Sequence, residues 1–93
     1  MTIVWSDRAV ADLRALRAYI AEFDPHAAAR IAARIVAAVE HLAALPDMGR
    51  PGRVPGTREL VVTGTPLIVP YRVSVGRIEI IAVIHGARKW PEL

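Results

Sequence analysis

The dipeptide Asp24-Pro25 constrains this chain more than any other feature of its sequence. A residue before proline is pushed out of the helical region, which is the geometry of a helix N-cap, and proline suits the first helical position. On both sides apolar residues recur at helical spacing. Ala9, Leu13, Leu16 and Ile20 form one stripe, with Asp12, Arg14, Arg17 and Glu22 mainly off it and reading as solvated. Ala28, Ile31, Ile35, Val39, Leu42 and Leu45 form the second stripe, which Pro46 ends. Ser6 offers a hydroxyl cap to the first helix, and Asp7 an anion in its first turn. Joined by two residues, the helices must fold back as an antiparallel hairpin, and the alanines of the second let the first approach closely.

The rest of the chain alternates or turns. Thr2 to Trp5 is β-branched and aromatic, a short strand. Pro46 to Gly56, with its prolines and glycines, is a loop. Three strands follow, Thr57 to Val62, Leu67 to Val73 and Arg77 to His85, separated by Thr63-Gly64-Thr65-Pro66 and Ser74-Val75-Gly76. Turns this short make an antiparallel meander. The order β-α-α-β-β-β predicts an α+β fold, an antiparallel sheet with the N-terminal helical hairpin on one face, as a single domain over residues 1–93.

Alternation assigns the faces. Leu67, Val69, Tyr71 and Val73 point to the helices, and Ile68, Pro70 and Arg72 away. In the last strand Ile78, Ile80, Ala82 and Ile84 alternate with Glu79, Ile81, Val83 and His85, so both faces are largely apolar. A hairpin covers one face only. Ile68, Ile81 and Val83 are therefore expected on an open face that a partner covers, and Ile81→Asp is expected to spare the fold. Pro70 conflicts with its strand: it cannot donate to a ladder and calls for a bulge or an edge.

Composition narrows the class. The 93 residues are 54% hydrophobic, enough for one core without disulfides or metal. No apolar run is long enough to span a membrane, and the N-terminus does not read as a signal peptide. The lack of cysteine fits a reducing compartment, so a cytoplasmic location is expected. All twelve basic residues except Lys89 are arginine, and the net charge of +3 suits an acidic protein or a polyanion. Gly49, Gly52 and Gly56 lack the spacing of a phosphate loop, and His26, His41 and His85 lack ligand spacing, so no cofactor or metal is expected.

Gly56-Thr57-Arg58-Glu59-Leu60-Val61-Val62, Tyr71-Arg72-Val73 and the run Val83 to Pro91 (VIHGARKWP), in that order, resemble the ParE branch of the RelE/ParE toxins of type II toxin–antitoxin systems. Leu45 to Arg50, Ala9 to Leu13 and Tyr19-Ile20 are similar too. The resemblance implies a toxin of the plasmid-stabilisation type, held in a hetero-oligomer by a cognate antitoxin that wraps its helices and open sheet. ParE-like members bind and block DNA gyrase, and RelE-like members cut mRNA on the ribosome. A nuclease of this kind must stabilise charge on a phosphate and move protons, and Arg72, His85 and Arg88 are the residues that could do so. Against that, the lysine cluster of the nucleases is absent and the chain stops five residues after Arg88. The expectation is a non-catalytic gyrase inhibitor with Arg72 and Arg88 as target contacts. A ribosome-dependent mRNA endonuclease, or a degenerate toxin that keeps only antitoxin binding, is the alternative. In plainer terms, Arg72 could simply pair with Glu59 or Glu79 across strands.

Overall fold

A computed structural model describes residues 1–87 of the chain. A strand β1 (Thr2–Trp5) leads into α1 (Asp7–Ala21) and α2 (Pro25–Glu40), and α2 tightens into a short 3-10 turn over His41–Ala43. Five strands follow: β2 (Arg50–Pro51), β3 (Arg58–Val61), β4 (Leu67–Ser74), β5 (Arg77–Ile80) and β6 (Ile84–His85). Both predicted caps form. Ser6 accepts from the Ala9 amide at 3.0 Å, and Asp24 accepts from His26 and Ala27, each at 3.0 Å. The second helix ends earlier than its apolar stripe suggests. The backbone is already in 3-10 form before Pro46, and Leu45 is left exposed.

The sheet runs β1-β5-β4-β3-β2, with β6 also beside β4. The meander β3-β4-β5 is antiparallel as its turns require; Gly64 supplies the left-handed residue of the first turn, at φ +79°. β1 lies parallel to β5, so the sheet is mixed; the long crossover through the helical hairpin is the kind of connection that a parallel pair needs. The hairpin packs on one face. Ala9, Ile35, Val39 and Leu42 meet Leu60, Val62, Leu67, Val69, Tyr71, Ile78 and Ile80 in the main core, with Ile3, Trp5, Leu13 and Leu16 around it.

Arg77 to His85 does not form one continuous strand, and Pro70 accounts for the break. Within β4, Leu67, Val69 and Tyr71 bond toward β3, whereas Pro70 faces the neighbour on the other side. Its carbonyl accepts from the Ile81 amide at 2.9 Å, but it has no N–H to give back to the Ile81 carbonyl. That carbonyl accepts instead from the Ser6 hydroxyl at 2.9 Å. Two residues on, the Val83 amide donates to a carboxylate oxygen of Asp12 at 3.0 Å. The ladder resumes at Ile84, opposite Ile68.

The break inverts the alternation beyond it. Val83 joins the helix-side core with 7% of its surface exposed, and Ile84 turns to the other face, where it clusters with Ile68, Ile81 and Ala82. The expectation that Val83 lies on the open face is therefore wrong, and the one extra residue of a bulge between the Pro70–Ile81 and Ile68–Ile84 pairs is the reason. Ile68 and Ile81 do lie on that face. They are 4% and 5% exposed, however, and so are buried core rather than an uncovered patch. Ile81→Asp would bury an unpaired carboxylate and is expected to unfold the chain rather than spare it.

Asp12 thus stands as a structural group, and its removal should be felt. Asp12→Ala leaves the Val83 amide without its partner and is expected to cost about 1–3 kcal/mol, with Asp12→Asn losing less because an acceptor remains. Urea unfolding of the three proteins, together with hydrogen exchange at the Val83 amide, measures this; equal midpoints would show that the bond carries no stability.

Candidate functional site

The face of the sheet away from the helices is built by the side chains that alternate off the core. Val61 and Ile68 lie across from one another there, as do Glu59 and Pro70, and Arg72 and Glu79, with Val4 on β1 next to Glu79. At one side Glu59 is 4% exposed, and a carboxylate that deep needs cations. Arg50 reaches it at 2.8 Å and Arg53 at 3.3 Å. Arg53 also donates to the Gly86 carbonyl at 2.9 Å, so one side chain ties the loop to both β3 and the end of β6.

The loop from Pro46 is held equally firmly from beneath. The Tyr71 hydroxyl donates to the Pro46 carbonyl at 2.8 Å and accepts from the Gly49 amide at 2.9 Å. Gly49 is required at that point: a Cβ would sit 2.6 Å from the Tyr71 ring and 2.8 Å from the Glu59 carbonyl oxygen. Arg58 adds bonds to the Asp47 and Gly49 carbonyls at 3.3 and 2.8 Å. Burial raises the Tyr71 phenol above its ordinary value of 10.0, with Asp47 adding to the rise and the Gly49 amide and Arg58 opposing it.

The residues singled out from the sequence do not converge. Arg72 lies on the open face, 3.7 Å from Glu79, which is the cross-strand pair that alternation allowed; both groups are more than a third exposed, so the contact is a modest one. His85 sits opposite Leu67, and Leu67 belongs to the helix-side core. The imidazole therefore projects to the helix side, at a cleft it shares with Arg8, Asp12, Tyr19 and Val83. Its Nδ1 accepts from the Ala87 amide at 3.2 Å, which puts the proton of the neutral ring on Nε2. Arg72 and His85 are on opposite faces of the sheet, where alternation along an unbroken strand had placed them together. Arg88, the third member, lies outside the described residues. Among the described residues no group of three or more His, Asp or Glu side chains could hold a metal ion, and no helix is long and apolar enough to cross a membrane.

Three groups were missed in the sequence. By local pattern Asp12 reads as solvated, Glu59 only as a possible partner of Arg72, and Tyr71 only as core. No local pattern marks Asp12 or Glu59, because the backbone and arginines that meet them come from distant parts of the chain.

Comparison with known proteins places this architecture. The family model of the ParE toxin of the type II toxin–antitoxin system parDE matches residues 3–90. The chain belongs to the ParE toxin family. It is 48% identical to the candidate toxin Y4kP of Sinorhizobium fredii over 98% of this chain and 94% of that protein. It is 43% identical to toxin RelE2 of Caulobacter vibrioides over 92% of this chain and 96% of that one. Among solved structures, a chain of the chromosomal ParDE system of P. aeruginosa superposes with a TM-score of 0.81 at 33% identity, covering 91% of this chain and 95% of that one. The membership makes this chain the toxin of a type II pair, for which the family implies an antitoxin partner.

In this ParE-family chain the Tyr71 clamp should set the stability of the loop. Tyr71→Phe removes both hydroxyl bonds from a buried site, for an expected loss of about 1–3 kcal/mol and faster proteolysis between Pro46 and Gly56. The sign with pH follows from the raised phenol. The folded chain keeps this proton to higher pH than the unfolded chain, so the contribution is full below pH 10 and is lost as pH rises through the folded value. Alkaline unfolding should therefore be steeper in the parent than in Tyr71→Phe, and identical slopes would remove Tyr71 as a cause.

Proposed function

We propose that the chain is a non-catalytic inhibitor of DNA gyrase, acting in the cytoplasm and held in check by a cognate antitoxin in a hetero-oligomeric complex. The observation that supports this reading is the separation of Arg72 from His85. Phosphoryl transfer from a 2′-hydroxyl needs an anion-stabilising group and a proton carrier on the same side of the phosphate. The sheet stands between Arg72 and His85. Three described cations of the open face are engaged, Arg50 and Arg53 with Glu59 and Arg72 with Glu79, which suits a polar protein interface better than a phosphate cradle. In this reading Arg72 on the open face contacts the target, and Arg88, outside the described residues, is the second contact. Ile68 and Ile81, being buried, support that face from beneath rather than meeting a partner directly.

The rival reading, a ribosome-dependent mRNA endonuclease using Arg72, His85 and Arg88, draws support from the relative named toxin RelE2. Purified chain assayed in parallel on gyrase and on programmed ribosomes separates the two. Loss of supercoiling with intact mRNA is expected, and Arg72→Ala should weaken the inhibition by roughly two- to tenfold, as for a single contact at an interface rim. Cut mRNA with unaffected gyrase would reject the proposal. Neither effect, with antitoxin still bound tightly, would identify a degenerate toxin.

A further inference from the structure

We infer that the free edge of β1 is a self-association surface, where β1 of a second copy of this chain pairs antiparallel with it across a twofold axis at Val4. Backbone direction defines the edge. The Thr2 and Ser6 amides donate to the Gly76 and Ile80 carbonyls, each at 3.0 Å, so the even-numbered residues of β1 bond inward to β5. Ile3 and Trp5 lie between them and direct their N–H and C=O groups outward. β1 ends the sheet, and among the described residues no strand lies beyond it. A bare edge of this kind is a template for another strand. Proteins blunt such edges with charge or proline, and the opposite end of the sheet follows that rule, β2 being only Arg50 and Pro51. The sequence of β1, Thr-Ile-Val-Trp, carries neither.

The register selects the occupant. In an antiparallel pair, residues whose bonds point outward must meet each other, so Ile3 of one copy lies opposite Trp5 of the other, and Trp5 opposite Ile3. Each such pair exchanges both of its hydrogen bonds. The axis then passes between the two Val4 residues, a pair without hydrogen bonds, where side chains approach most closely. Centring the pair on Ile3 or on Trp5 instead would leave the other opposite Met1 or Asp7, outside the strand. In the Val4 register every residue meets a compatible one. Ile3 and Trp5 are half-buried on the helix side and form cross-strand pairs of a β-branched with an aromatic side chain. Val4, 38% exposed on the open face, covers its own counterpart, and Thr2 meets Ser6. No like charges oppose one another along β1, and β1 offers a charged peptide nothing to pair with. The same patch serves both copies, as a twofold contact requires. With the axis perpendicular to the sheet, both open faces, each with its Arg72–Glu79 pair, lie on one side of a continuous sheet. Such a pair forms whatever the target of the toxin.

Sedimentation equilibrium of the purified full chain, with amide hydrogen exchange at several protein concentrations, tests this. A monomer–dimer equilibrium is expected, and exchange at the Ile3 and Trp5 amides should slow as concentration rises. Val4→Lys leaves the inward ladder and the core intact, which thermal unfolding checks, but it brings like charges together at the axis. It should weaken association about tenfold or more, and Val4→Glu should do the same. An equimolar mixture of the two variants should regain most of the association, because opposite charges then meet at the axis. A chain that stays monomeric at millimolar concentration would overturn the proposal. So would a mixture that associates no better than either variant alone, or a dimer whose protected amides lie away from Ile3 and Trp5. Protection of these two amides that appears only with antitoxin, and without self-association, would assign the edge to another protein and overturn it too. If the Val4 variants do not fold, the concentration dependence of exchange in the parent decides alone.

Discussion

Pro70 lacks one hydrogen-bond donor, and much of the molecule is arranged around that lack. A strand in the middle of a sheet bonds to neighbours on both sides, and a residue that can only accept leaves the opposite carbonyl stranded. Here the stranded carbonyl belongs to Ile81, and the Ser6 hydroxyl takes it. The same hydroxyl oxygen caps α1 through the Ala9 amide, so one side chain starts the helix and seals the sheet. Asp12, about one and a half turns further along α1, binds the Val83 amide. Helix and broken strand are thus joined by two polar contacts that the surrounding apolar packing alone would not specify.

The consequence is carried to both faces. Beyond the break Val83 fills the helix-side core, Ile84 crosses to the other side, and His85 follows Val83 toward the helices. The open face keeps Arg72 and loses the histidine. Arg50 and Arg53 are paired there with Glu59 and Arg72 with Glu79, and the loop that supplies the first two is fastened by Tyr71 from below and by Arg53 to Gly86 from the side. A surface held in this way has fixed polar groups for a protein to recognise, and no proton carrier opposite an anion site among the groups named here.

Much of this was legible in the sequence. The two caps, the hairpin, the meander and the residues of the main core followed from spacing and turn chemistry, because each is decided locally. The side chains of the last strand were not, because alternation assumes an unbroken ladder. Pro70 announced a break but not its place, since the proline is on one strand and the displaced residues are on the next. Glu59 and Asp12 were unreadable for a related reason. Whether a carboxylate is solvated or buried depends on which distant backbone or arginine arrives beside it, and local pattern carries no record of that. The family was visible from the order of the sheet motifs, and the comparisons place the chain within it.

The reversal of faces at Ile81 to Val83 is the claim on which the functional reading turns, and side-chain proximities in solution test it most directly. Methyl-labelled protein should show Val83 close to Leu13 or Leu16 of α1, Ile84 close to Ile68, and no proximity between the His85 ring and Arg72. Proximity of Val83 to Ile68, with His85 beside Arg72, would restore an unbroken strand and bring the proposed nuclease groups back onto one face.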